Sequence, residues 1–199
     1  MRKALILLIF AITLVAGIVM VVKRGKRETQ PSSSLLIKSH TNFMNIESPV
    51  FKLNEAIPSR YTCDGEDVNP ALNFSNVPGD AQSLLLIVDD PDAPAGTWVH
   101  WALWNISADV KGIKENSVPS GAIQGVTSFG KSGWGGPCPP ASPSPSQGGP
   151  SGIHHYYFKL YALDIEVKLP PETSISDLEE TMAGHILAQA ELVGLYSRK

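Results

Sequence analysis

Between residues 35 and 170 the chain never runs far without a break. Short apolar stretches alternate there with proline, glycine and aspartate, and most of the sixteen prolines fall in this span. Proline removes a backbone donor and clashes inside a helix, so this punctuation favours strands joined by turns. A parallel sheet, which needs helical crossovers between its strands, is disfavoured. The runs Leu72–Phe74, Ser83–Val88, Val99–Ile106 and Tyr156–Leu163 are read as strands. Leu84–Val88 is short and continuously apolar, and His154–Leu163 is rich in aromatics. One helix is expected near the C-terminus. Ser176-Asp-Leu-Glu179 has the form of a capping box, and Leu178, Met182, Ile186 and Leu187 follow at helical spacing. The 199 residues suffice for one domain with a short appendage, and therefore for one site.

The appendage is the N-terminus. Ala4–Val22 is a run of nineteen uncharged, almost wholly apolar residues, which as a helix reaches about 28 Å, close to the hydrocarbon thickness of a bilayer. Five apolar residues and then Lys23 and Arg24 follow Ala16-Gly17, where a cleaved signal would end, so an uncleaved transmembrane anchor is favoured. Basic residues on both sides leave its orientation open. Residues 1–27 are read as this anchor with its basic flank, 28–45 as a polar linker and 46–199 as the folded domain. Residues 28–199 hold ten basic against nineteen acidic side chains, a net charge of −9. Such a surface repels nucleic acid and anionic lipid, so any phosphate must be recognised by a local pocket. Ala141–Gly152 consists only of Ala, Ser, Pro, Gly and Gln and is expected to be a surface loop.

Three segments carry the chemistry. Asp89-Asp90-Pro91-Asp92-Ala93-Pro94 crowds three carboxylates at a strand end, with two prolines restricting the backbone; its plain alternative is a solvated acidic turn. Trp98-Val-His100-Trp101 puts Trp98 and His100 on one strand face, where a histidine is as a rule a satisfied structural residue unless a carboxylate meets it. Trp134-Gly-Gly-Pro-Cys-Pro-Pro140 is a rigid irregular stretch suited either to a surface turn or to presenting backbone donors. After the loop, His154 and Tyr156 lie two apart and so point to the same side.

Together these segments resemble the phosphatidylethanolamine-binding protein family, which includes the Raf kinase inhibitor proteins of animals and flowering regulators of plants. The resemblance rests on DPDAP at Asp90–Pro94, the His100-Trp101 pair, GPCPP at Gly136–Pro140 and HxYxFxxYALD at His154–Asp164, all in family order over roughly Tyr61 to Tyr196. Cys63-Asp-Gly65 and Asn69-Pro70 look like its prokaryotic branch. It implies a mainly β fold of two antiparallel sheets with few helices. It also implies a small pocket for phosphate, acetate or a phosphorylated head group, with no metal and no cofactor. The implied pocket uses Asp90, His100, His154 and Tyr156, with Pro94, Trp98 and the backbone of Gly136, Pro137, Cys138 and Pro139 as walls. This chain departs from the family in the longer connection Ala141–Ile153 and in His155, where arginine is commonest.

The expected activity is non-catalytic capture of a small anion, weakening as pH rises through the histidine range. One rival is a metal-dependent hydrolase using His100, His154 and Asp90 as ligands. Another is a module that regulates a protein partner such as a kinase or protease. Cys63 and Cys138, the only cysteines, pair as one disulfide if the domain lies outside the cytoplasm, or remain free thiols inside it.

Overall fold

The computed structural model describes residues 43–141 and 152–198. The apolar run Ala4–Val22, nearly all of the linker and most of the loop after Pro140 lie outside them. Among the described residues no helix is long and apolar enough to cross a membrane.

Among the described residues nine strands form two sheets. β1 (Asn45–Glu47), β3 (Leu72–Ser75) and β6 (Gly112–Ile113) make a small antiparallel sheet in the order β1-β3-β6. The second has six strands in the order β2-β9-β8-β4-β5-β7, from β2 (Glu55–Ala56), β4 (Ser83–Asp90), β5 (Trp98–Ser107), β7 (Ile123–Gln124), β8 (His154–Leu163) and β9 (Ile186–Tyr196). Every described pairing is antiparallel except β2 with β9, a two-residue parallel contact that departs from the expected architecture. β1 begins inside the stretch read as linker, and Met44 just before it is already buried.

The four strands expected from the apolar runs are all present, as β3, β4, β5 and β8. β4 is buried at all eight positions because both of its faces are covered. Leu84, Leu86 and Val88 face the small sheet, packing with Ile46, Phe74, Phe158 and Trp101. Leu85 and Ile87 face the other way, against Trp104, Val167, Leu178 and Met182. β8 alternates between buried and half-buried side chains, as a strand with one solvated face should.

The single described α-helix, α1 (Ile175–Met182), lays Leu178 and Met182 on that outer core. It is shorter than its spacing suggested. Ser174 caps it, accepting from the Asp177 N–H at 3.1 Å, so the cap lies two residues before Ser176. The chain then turns at Gly184, with φ +82°, and Ile186 and Leu187 open β9 instead of extending the helix. β9 pairs along the whole of β8, from His154↔Tyr196 to Leu163↔Ile186. That ladder satisfies the backbone of a long segment and outweighs the local helical spacing.

Candidate functional site

The antiparallel register builds the site. β4 ends at Asp90, and both of its neighbours begin at that end: Asp90 pairs with Trp98 of β5, and Asp89 with Tyr157 of β8. Because side chains alternate, Asp90, His100 and His154 project toward one side and line a cavity of about 580 Å³. Ala93, Pro94, Ala95, Trp98, Phe129, Cys138, Pro139 and Pro140 complete its lining. Three segments far apart in the chain thus converge on one cavity of ordinary ligand-binding size.

The three carboxylates are not pooled. Asp90 takes the Nδ1 of His154 on Oδ2 at 2.7 Å and the Asp92 N–H on Oδ1 at 2.9 Å, with both side chains of the His154 pair about 4 % exposed. Asp92 turns outward and accepts from the His155 N–H and Nδ1, at 2.9 and 2.7 Å. Those hydrogen bonds hold its carboxyl below the usual range although burial opposes them. Asp89 pairs with the Lys159 ammonium at 2.6 Å, yet burial pushes its carboxyl up, since its second oxygen is buried without a partner.

His100 is buried, and burial pulls its imidazole below the ordinary value of 6.5 even though the Gly135 carbonyl and the Asp90 charge favour the cation. The Nδ1–H donates to that carbonyl at 2.6 Å, while Gly135 N–H donates to the His100 carbonyl at 3.1 Å. The ring lies edge-on to Phe129 and to Tyr156, with centroids 5.4 and 5.2 Å apart.

Seven of the ten residues expected in the pocket line it: Asp90, Pro94, Trp98, His100, Cys138, Pro139 and His154. Three do not. Gly136 instead gives its N–H to Asp67 Oδ1 at 2.7 Å, in a space so close that a Cβ would collide with Asp67 and Tyr61. The Pro137 carbonyl accepts from Cys63 N–H at 3.1 Å. Tyr156 shares the face of His154, as its spacing requires, but lies fully buried beneath His100. Its hydroxyl has no hydrogen-bond partner, and burial together with the Asp90 carboxylate pushes the phenol far above its usual range.

The structure adds Phe129, Ala93, Ala95 and Pro140 to the lining. Phe129 sits on a turn closed by Gly130 N–H to the Thr127 carbonyl at 2.9 Å, and no motif marks it. Ala93, Ala95 and Pro140 flank recognised segments, so proximity alone was their signal. Cys63 and Cys138 form a disulfide across 75 residues of sequence, with Cα atoms 5.4 Å apart. It fastens the Gly136–Pro140 wall to the segment after Tyr61.

A family model described as "Phosphatidylethanolamine-binding protein" matches residues 47–197. The UPF0098 protein of Methanothermobacter thermautotrophicus is 46% identical over 160 residues, which cover 78% of this chain and 99% of that protein. Among solved structures, a phosphatidylethanolamine-binding protein homologue from Chlamydia trachomatis superposes with a TM-score of 0.72 at 38% identity, covering 80% of this chain and 100% of that one. E. coli YbcL, described as a member of the mammalian family, gives a TM-score of 0.70 at 29% identity, covering 78% of this chain and 99% of its own. The fold, the order of the motifs and these matches agree, and the chain belongs to the phosphatidylethanolamine-binding protein family.

Proposed function

We propose that this protein binds a small anionic or phosphorylated group in the cavity between Asp90, His100 and His154, without catalysing a reaction on it. The observation that carries the proposal is the convergence of two buried imidazoles and a hydrogen-bonded carboxylate on a single cavity whose remaining walls are apolar. Polar groups set among apolar walls suit a charged head group attached to a less polar body, a phospholipid head group included. Regulation of a partner protein through this site is part of the same proposal.

The metal-dependent hydrolase finds less support. Asp90 spends one oxygen on His154 and the other on the Asp92 N–H, so the presumed third ligand is a partner of the imidazole rather than a free donor. Among the described residues no group of three ligating side chains is assembled.

We also propose that Ala4–Val22 anchors the protein in a membrane with the domain on the extracytoplasmic side. The disulfide supports an oxidising compartment.

Trp98 lines the cavity and reports on it. Adding inorganic phosphate or phosphoethanolamine near neutral pH is expected to change tryptophan fluorescence saturably. The double change His100→Ala and His154→Ala is expected to abolish that response. An unaltered titration in the double variant, with its fold intact by circular dichroism, sinks the proposal.

A further inference from the structure

We infer that the cavity selects anions that bring their own hydrogen, such as hydrogen phosphate or a singly ionised phosphomonoester, and rejects isosteric anions that lack one, such as sulfate. This rests on the anion-binding proposal and narrows its ligand class.

The case begins with the two ring tautomers. A carbonyl oxygen can only accept, so the 2.6 Å contact to Gly135 fixes the hydrogen of His100 on Nδ1. The polar atom left for a guest is Nε2, and in the neutral ring it is a bare lone pair. His154 repeats the pattern. Its Nδ1 faces Asp90 Oδ2, and the other oxygen of Asp90 already accepts the Asp92 N–H, so the carboxylate acts as acceptor on both sides. Its Nε2 is likewise left as an acceptor when the ring is neutral.

Donors are scarce. No lysine or arginine lines the cavity among the described residues, and the sequence of residues 142–151 contains neither. In the Gly136–Pro140 wall three residues are prolines without an N–H, and the Gly136 N–H is engaged with Asp67. The Cys138 N–H is the one wall donor with no partner among the described residues. The Tyr156 hydroxyl lies below the lining. The titratable groups around His100 are Asp89 and Asp90 from β4 and His154 and Tyr156 from β8, with Asp92 on the turn beside His154. Of these, the carboxylates oppose a second negative charge.

Two bare imidazole nitrogens thus face a site that takes an anion. A hydrogen on the guest resolves the mismatch, since a P–O–H donates to one Nε2 while other oxygens of the guest accept from Cys138 N–H and from solvent at the mouth. Sulfate, of similar size and fully ionised near neutrality, would press an oxygen lone pair against a nitrogen lone pair. Its alternative is to wait for an imidazole to gain a proton, which burial of His100 defers to lower pH.

The test is a pair of calorimetric titrations of the full chain in non-ionic detergent at about pH 8, above the histidine range, with sodium phosphate and sodium sulfate at matched ionic strength. Sulfate is expected to bind on the order of a hundredfold more weakly, the penalty for opposing a site built around a hydrogen the ligand lacks. That ratio is expected to shrink as pH falls through the imidazole range. It is also expected to shrink in His100→Gln, whose amide can donate; if that variant does not fold, the wild-type ratio decides alone. Equal affinities, or tighter sulfate, overturn the inference and leave the anion site standing. Binding of neither ion overturns both.

Discussion

His154 and His155 are neighbours in sequence, and each places Nδ1 2.7 Å from an aspartate oxygen, of Asp90 at the end of β4 for the first and of Asp92 on the following turn for the second. By contact geometry the pairs are twins, but in environment they are opposites. The His154–Asp90 pair is about 4 % exposed on each side, whereas His155 and Asp92 are 45 and 42 % exposed. A strand with period two sends one histidine into the cavity and the other to the surface. Water screens the outer pair and offers substitutes for each partner, while the inner pair has none, so equal distances conceal unequal energies. The pairs are also joined, since the Asp92 N–H bonds to Asp90 while the Asp92 side chain holds His155.

The comparison can be broken most directly at Asp90. Asp90→Ala strands a buried imidazole and is expected to cost about 3–5 kcal/mol in urea unfolding, as for one partner of a buried ionic pair. A loss near that of a surface substitution would mean that the inner pair is no stronger than the outer. Acid unfolding separates the two environments along the pH axis. The His100 imidazole is depressed in the folded state, so the unfolded chain binds the proton first, and its contribution to stability is present above the ordinary 6.5 and lost as pH falls below it. Asp92 is depressed as a carboxylate, so its contribution is present above the ordinary 3.8 and lost only as pH falls below that. Two acid steps are expected, the upper removed by His100→Asn and the lower by Asp92→Asn; a single step common to both variants contradicts the separation.

Smaller effects sharpen the contrast. His155→Ala is expected to cost no more than about 1 kcal/mol and to leave phosphate affinity within a few-fold, as read by thermal unfolding and calorimetry. Tyr156→Phe removes a buried hydroxyl that has no partner, so stability is expected to hold or rise by about 1 kcal/mol or less. Phosphate binding is expected to be unchanged, and a large loss of affinity would restore Tyr156 to the site.

Much of this was legible in the residues themselves. The apolar runs marked four strands, and the two-residue spacings Trp98–His100 and His154–Tyr156 assigned faces correctly. Facing the same way did not decide depth, however. Tyr156 lies against His100 in the core that also holds Phe158, its hydroxyl near the Asp90 carboxylate but without a hydrogen bond. Gly136 and Pro137 turned from expected pocket walls into fasteners, because Asp67 and Cys63 approach from a segment some seventy residues earlier. Ile186 and Leu187 continued a helical spacing by coincidence of local pattern, and the competing ladder with β8 was not visible in that window.

The sequence by itself determined the β-rich class, the three segments that carry polar chemistry and the face of each strand on which their side chains stand, because proline punctuation and period-two alternation are local properties of the backbone. Only the tertiary structure decided which carboxylate meets which histidine, that Cys63 and Cys138 are joined, that Phe129 closes the cavity and that Tyr156 sits beneath it. Those are contacts between residues tens of positions apart, set by strand register and loop docking, on which no local pattern bears.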